Sequence, residues 1–464
     1  MNLSGKKVLV MGLGLLGGGV ATTNWLVKQG AVVTVTDLKT KDELAPSIRK
    51  LKSGKIKFVL GKHKEEDFVK NDIVVVGPGV PRTSKFLKIA KKNKKLIEDE
   101  STLFFQSVLN PIIAVTGTRG KTTVVNWIAH LLSARYANIK PIGNNPENPY
   151  MKAIDGLNKD CPAIVELPSW QLEILPNAKK GSFVAVITNI YPDHLNTYRD
   201  IESYVRAKAN IFKYQTKKDF LILNRDNKWT NFFLAKKPKS NVLFFSKKIL
   251  PKNNNGLFLR NNALFFKEGK TVKKIMETKA FVGGKGGHNL ENLMASLLVV
   301  LVFEHGFKVT QAVLKNLPQV PFRQEVIFDD SKIKIINDSA STTPEAVIVA
   351  VNRFSKEGEV FLIAGGTDKN LDYGELARVI KKSKLKKLVL LSGSATDKLL
   401  SGFGRVRYKE FELFDSLEDC VKIAFSSSHR DKKIIIFSPG ASSFEKFKNE
   451  FDRGRQFNQL VSKW

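Results

Sequence analysis

Pro111-Ile-Ile-Ala-Val-Thr-Gly-Thr-Arg-Gly-Lys-Thr-Thr123 decides how this chain of 464 residues is read. An apolar run enters a glycine turn, and Gly120-Lys121-Thr122 opens the next segment. That order predicts a buried strand, a tight loop and a helix. Backbone N–H groups and a lysine at such a helix start cradle phosphates, and the following hydroxyl reaches Mg²⁺. A nucleoside triphosphate is the first ligand to expect. The usual spacing, G-x-x-x-x-G-K-S/T, needs glycine where Val115 stands. Here the first glycine is Gly117, so the loop is two residues shorter.

Outward from this loop, short β-rich runs alternate with helical stretches. Strands are expected at residues 6–11, 31–37, 57–60, 73–76 and 95–97, with a helix at 16–29. A second series has strands at 112–116, 163–167, 183–188 and 220–223, a β-rich insertion at 242–266 and a helix at 289–304. Pro318 and Pro321 mark a boundary, and strands at 334–336, 360–364, 387–391 and 433–437 form a third series. Such alternation predicts βαβ units with parallel sheets. We expect an α/β chain of three consecutive domains. These are a Rossmann-like domain at 1–108, a central phosphate-loop domain at 109–319 and a second Rossmann-like domain at 320–464.

Bulk composition narrows the class. Hydrophobic content of 42% and charged content of 26% suit a soluble globular protein. The longest apolar run, Leu297-Leu-Val-Val-Leu-Val-Phe303, falls far short of the roughly 20 residues that span a bilayer. The N-terminus enters a strand directly and shows no signal-peptide pattern. Only Cys161 and Cys420 are present, so no disulfide framework or thiolate metal cluster is expected, which fits a reducing cytoplasm. The net charge of +32 is spread along the chain without an aromatic-interleaved basic array. It reads first as solvated surface, with steering of anionic substrates the next alternative and no nucleic-acid partner expected.

Other motifs accompany the loop. Gly12-Leu-Gly-Leu-Leu-Gly17 matches G-x-G-x-x-G between a strand and a helix, and Asp37 ends the next strand. The residues alone leave three readings open: a dinucleotide site, another nucleotide diphosphate, or a structural turn. Glu166 ends the apolar run from Ala163, and Asp193-His194 follows another strand. Strands deliver such residues to the sheet edge where α/β proteins bind ligands, and a Mg²⁺ site wants a carboxylate. Lys208 lies on an amphipathic helix as one lysine among many, and Asn289 in Gly286-Gly-His-Asn-Leu-Glu-Asn292 is a candidate helix cap.

Taken together, GTRGKTT, the Asp193-His194 pair, Ala207-Lys208, GGHNLEN, Pro321-Phe-Arg323 and Asn337-Asp-Ser339 occur in the order seen in the Mur ligases. The chain resembles that family over essentially its whole length. These ATP-dependent, amide-forming ligases of peptidoglycan precursor synthesis carry a short loop of the form GTxGKS/T. Gly77-Pro-Gly79, Ser438-Pro-Gly-Ala-Ser-Ser-Phe-Glu-Lys-Phe447 and Phe451-Asp-Arg-Gly454 are most similar to the member that adds D-glutamate to UDP-N-acetylmuramoyl-L-alanine.

The resemblance implies roles. Gly14, Leu15, Leu16 and Asp37 hold the uridine, and Asn144 contacts the UDP-sugar. Gly117, Thr118, Arg119, Gly120, Lys121, Thr122 and Thr123 hold ATP phosphates, while Asn292, Arg323 and Asp338 hold the adenosine. Thr122, Glu166, His194 and Lys208 serve two Mg²⁺ ions, with Lys208 carbamylated as in the family. Lys121, Lys208 and His194 are the expected catalytic residues. Lys369, Ser443, Phe444 and Phe451 line the amino-acid pocket. A cytoplasmic monomer without membrane insertion is expected. The chain departs from the family pattern at Leu16 (often threonine), Asn145-Pro146 (Ile-Gly), Pro168 (serine) and Ala340 (lysine). The last change removes a charged contact near phosphate or D-glutamate. A related ligase with another amino acid or acceptor, and a non-catalytic nucleotide-binding protein, are the competing classes.

Overall fold

The computed structural model describes residues 2–52, 55–143, 148–193, 197–304, 314, 316–383 and 385–464. Three sheets follow one another along these residues. The first is parallel, in the order β3-β2-β1-β4-β5, with β1 (Lys7–Met11), β2 (Val32–Asp37), β3 (Ile56–Leu60), β4 (Ile73–Val76) and β5 (Leu96–Glu98). Asp37 closes β2, so its carboxylate lies at the edge where the loop after β1 turns into helix Gly18–Lys28.

The second sheet is built on β6 (Ile112–Thr116), whose five residues are all buried. Burial on both faces is why this strand reads as a continuous apolar run. Its parallel neighbours are β8 (Ala163–Glu166) and β9 (Val184–Ile187). β7 (Ile142–Gly143) lies outside β8, and β10 (Phe220–Asn224) and β11 (Asn241–Ser246) continue from β9. The β-rich segment expected at 242–266 is not a separate insertion. β11, β12 (Gly256–Arg260), β13 (Ala263–Glu268) and β14 (Thr271–Glu277) extend the same sheet, with the last two antiparallel. Helices Lys121–Leu132 and Leu290–Phe303 pack in one core with β6, β9 and β10. Ten residues of the second helix are buried, so it is apolar on nearly every face rather than amphipathic.

The third sheet has the order β15-β16-β20-β17-β18-β19. Its strands are β15 (Glu325–Asp329), β16 (Ile333–Asn337), β17 (Glu359–Gly365), β18 (Lys387–Leu391), β19 (Glu412–Phe414) and β20 (Lys433–Phe437). β15 is antiparallel and the others are parallel. The chain packs as two compact units, one of residues 1–193 with 200–317 and one of residues 194–199 with 318–464. The first two sheets share the first unit. There the Lys28–Asp155 ion pair at 2.8 Å and the Asn177 amide donating to the Ile97 carbonyl at 2.7 Å join them. Among the described residues no helix is long and apolar enough to cross a membrane.

Candidate functional site

The loop after β6 turns sharply, with Gly117 at φ 146° and Gly120 at φ 84°. Both positions need glycine for space as well as conformation. A Cβ on Gly117 would lie 1.9 Å from the Thr188 hydroxyl, and one on Gly120 would lie 2.2 Å from the Asn292 amide oxygen. Asn292, in the first turn of helix Leu290–Phe303, thus sits against the start of helix Lys121–Leu132. Behind the loop, the Thr118 and Arg119 N–H groups donate to Asn189, and the Thr188 hydroxyl donates to the Arg119 carbonyl at 2.7 Å. Lys121 folds back and donates to the Gly117 and Thr118 carbonyls, both at 3.1 Å. Thr122 is half-buried and Thr123 buried in the first helical turn.

Lys208 is buried in this wall. It lies on helix Ile201–Ala209, capped by Asp200. Its amine donates to the Thr116 hydroxyl at 3.2 Å and to the Gly117 carbonyl at 3.0 Å. Tyr204, one turn earlier on the same face, places its ring 4.6 Å below the amine. Burial, and next the Lys121 charge, hold the amine well below the usual lysine range, while Asp193 and Glu166 oppose them. Glu166 ends β8 and is buried, its carbonyl accepting from the Tyr150 hydroxyl at 2.9 Å. Asp193 is buried too. His194 and Asn144 lie outside the described residues.

This donor set fits the expected ligands. Glycine at 117 and 120 lets the loop pass where a Cβ would strike Thr188 or Asn292. The Thr122 hydroxyl and Glu166 carboxylate are hard oxygen donors of the kind Mg²⁺ takes.

The loop after β1 is held by Asp37. One carboxylate oxygen accepts from the Gly14 N–H at 3.1 Å and the other from the Lys39 N–H at 2.9 Å. Ser47 donates to the Gly14 carbonyl at 2.6 Å. Leu15 and Leu16 stand exposed at the rim. Gly19 is obligatory, since a Cβ there would lie 2.3 Å from the Leu13 carbonyl oxygen.

In the second unit, exposed Arg323 is flanked by Phe322 at φ 63° and Gln324 at φ 46°. Non-glycine residues in this region are uncommon and mark an over-determined segment. Asp338 supplies part of the determination. Its carboxylate accepts from the Gln324 N–H at 2.9 Å, the Ser341 hydroxyl at 2.6 Å and the Ser438 hydroxyl at 2.7 Å. Burial pushes this carboxyl up to about 6 against those hydrogen bonds. Phe322 also packs edge-on against Phe451 and over Gly454, where a Cβ would meet its ring at 2.4 Å. The loops after β17 and β20 are zipped by reciprocal hydrogen bonds between Thr367 and Ser442 at 3.0 and 2.9 Å. Lys369 donates to the Thr342 hydroxyl at 3.3 Å, the buried Ser443 hydroxyl has no partner among the described residues, and Phe444 is exposed.

Residues 115–300 match the Mur ligase middle domain, and residues 6–98 match the N-terminal domain described as Mur ligase MurD-like. A UDP-N-acetylmuramoylalanine–D-glutamate ligase of Borreliella burgdorferi (strain ZS7) is 36% identical over 458 residues, 98% of this chain and 97% of the relative. The chain belongs to the Mur ligase family. A ligase of the same name from Clostridioides difficile (strain 630) is 34% identical over 100% of this chain and 99% of its own length. The fold of this Mur ligase is similar to that of UDP-N-acetylmuramate–alanine ligase from Thermotoga maritima. Their TM-score is 0.60 at 17% identity, covering 99% of each chain.

Several residues that shape this Mur ligase's site carry no local signal in the sequence. Tyr204, Thr188 and Asn189 support the loop from other elements, and Arg453 is wholly buried. The Arg453 guanidinium donates to the Ser339 hydroxyl and carbonyl and to the Ala441 and Ser442 carbonyls, at 2.7–3.1 Å. It fastens the loop that carries Asp338 and Ala340 to the loop that carries Ser443. The Asp-Arg-Gly454 run was the only available hint.

Proposed function

We propose that this Mur ligase joins D-glutamate to UDP-N-acetylmuramoyl-L-alanine, converting ATP to ADP and phosphate, in peptidoglycan precursor synthesis. The observation that carries the reaction class is the buried Lys208 amine 3.0 Å from the Gly117 carbonyl of a short phosphate loop. Similarity over 98% of the chain to a D-glutamate ligase supports the choice of amino acid.

In the proposed reaction, a terminal alanine carboxylate oxygen of the UDP-sugar attacks the γ-phosphorus of ATP. ADP leaves and an acyl phosphate forms. The D-glutamate amine then attacks the acyl carbon, loses a proton, and phosphate departs. No enzyme nucleophile takes part, so the protein acts through position and charge. The N–H groups of Gly117–Thr123 and the Lys121 ammonium hold the phosphates. Lys208, kept as free amine, adds to CO₂ through a new N–C bond and releases a proton, giving an oxygen ligand in place of a cation. Thr122 and Glu166 would hold one Mg²⁺, and His194 with carbamylated Lys208 a second. Bound Mg²⁺ supplies neutralisation of phosphate charge.

Gly14, Leu15, Leu16, Asp37 and Asn144 serve the UDP-sugar, and Asn292, Arg323 and Asp338 the adenosine. Lys369, Ser443, Phe444 and Phe451 receive the amino acid, with the unpartnered Ser443 hydroxyl available to a carboxylate. We assign these three tasks to domains 1–108, 109–319 and 320–464 of a cytoplasmic monomer. Replacing Lys121 with alanine tests the ATP assignment. ADP release dependent on the UDP-sugar and D-glutamate should collapse, and full turnover would contradict it.

A further inference from the structure

Helix Gly18–Lys28 begins at Gly17, a left-handed residue with no side-chain cap. Its first intrahelical bond runs from the Ala21 N–H to the Gly17 carbonyl. The N–H groups of Gly18, Gly19 and Val20 therefore open at the helix end and favour an anion. A second group aims at the same end. Glu100, the first residue of helix Glu100–Ser107, is buried, and its carboxyl lies in the notch left by Gly18. A Cβ on Gly18 would lie 2.5 Å from Oε1 and 3.1 Å from Oε2. Because Cα–Cβ bonds tilt toward a helix N-terminus, that notch faces the mouth of the loop. Oε1 is buried without a hydrogen-bond partner among the described residues.

The groups around Glu100 supply no cation of its own. Asp99 precedes it, accepts from Ser101 and Thr102, and takes the nearby Arg82 charge at 3.6 Å. Arg82 also donates to the Trp170 carbonyl. Glu98 ends β5 and accepts from Gln106. From helix Gly18–Lys28, Thr22 offers only a hydroxyl. From helix Tyr150–Ile154, the Tyr150 phenol is committed to Glu166 and Gln171. A diphosphate at the helix end would bring further negative charge beside an uncompensated carboxylate. The repulsion is removed if the carboxyl is protonated, and the acid then becomes a donor.

We propose that Glu100 belongs to the nucleotide-sugar site: as the neutral acid it donates a hydrogen bond to the diphosphate at the N-terminus of helix Gly18–Lys28, so binding takes up a proton. This rests on the reading above that the loop after β1 holds the UDP-sugar. Burial, with Asp99 adding to it and Thr22 opposing, pushes the free carboxyl up to about 7. Its protonation is therefore poised near neutral pH, and a bound anion raises it further. The bound state carries more protons than the free state, so affinity falls as pH rises above that value. The limiting slope is about tenfold per pH unit, set by one proton.

The test is calorimetric titration of the full chain with UDP-N-acetylmuramoyl-L-alanine from pH 6 to 8.5, in two buffers of different ionisation enthalpy. The sugar-linked diphosphate does not itself titrate in this range. Wild-type protein should take up a fraction of a proton that approaches one above pH 7.5, with affinity falling in step. Glu100→Gln, which keeps a donor without a titrating group, should lose that uptake and give a flat profile. Glu100→Ala should bind more weakly at pH 6 than Glu100→Gln. Equal uptake and slope in wild type and Glu100→Gln would overturn the proposal. Leu15→Glu, at an exposed position of the loop, separates the two levels. If it binds like wild type, the nucleotide is not at this loop. If it loses binding while Glu100→Gln titrates like wild type, only the Glu100 role fails.

Discussion

The Lys208 amine lies 3.0 Å from the Gly117 carbonyl oxygen, under the phosphate loop and in the same charge field as Lys121. A buried ammonium beside a second cation is an unfavourable arrangement. The folded chain therefore favours free amine, and between its lowered value and the ordinary lysine range the unfolded chain holds more protons. Stability contributed here rises with pH and is reduced at neutral pH. Lys208→Met should therefore melt no lower than wild type at pH 7 under CO₂-free conditions, while losing activity by about a hundredfold or more. Lys208→Ala should recover part of its turnover with added short-chain carboxylates. Wild-type-like turnover in Lys208→Ala would remove the carbamate from the account.

Gly117 and Gly120 give a steric prediction. Alanine at either would clash, with Thr188 in one case and Asn292 in the other, at positive φ. A left-handed non-glycine residue alone costs about 1–2 kcal/mol. Gly117→Ala should abolish saturable ADP binding, and Thr188→Ala in the same chain should restore part of it by removing the overlapping hydroxyl. No recovery in the double variant would place the fault in the backbone turn instead.

How much of this was legible depended on sequence distance. The strand, loop and helix around Gly117 are local, and their apolar run and glycines announce them. Lys208 is one of 76 basic residues, and its burial depends on Thr116, 92 positions away. Helical pattern alone does not mark Lys208 as different from an exposed lysine; only the place of Ala207-Lys208 in the order of family motifs does. β12 and β13 read as part of an insertion because a hairpin signal does not say which sheet edge it will join. Glu100 stands in a run of three acids, Glu98-Asp-Glu100, and only the notch at Gly18 singles it out.

Asp338 gives a pH prediction of opposite sign to Lys208. Its carboxyl, raised to about 6, holds more protons in the folded chain than in the unfolded chain over pH 4–6. Its share of stability therefore falls as pH rises through that window. Asp338→Asn removes the titration, so the variant should gain on wild type between pH 4 and 6.5. The upper limit of that gain is about 3 kcal/mol, at 1.36 kcal/mol per pH unit. Denaturant melts at both pH values measure it, and a constant difference would contradict it.

Arg453 ties the Ser339 and Ser442 loops without a carboxylate of its own. Arg453→Met leaves buried carbonyls unpaired, at about 1–3 kcal/mol each. The third sheet should then protect its amide hydrogens less well from exchange. In the milder Arg453→Lys variant, KM for the amino acid should rise more than KM for ATP. An equal rise in both would assign Arg453 to general stability only.

Phosphate release is followed with ATP, Mg²⁺ and UDP-N-acetylmuramoyl-L-alanine across a panel of amino acids that includes both glutamate enantiomers. Turnover is expected with D-glutamate, at one amide product per ADP, and little with L-glutamate or the others. Turnover led by a different amino acid, or none with D-glutamate while the UDP-sugar binds, would contradict the proposed reaction.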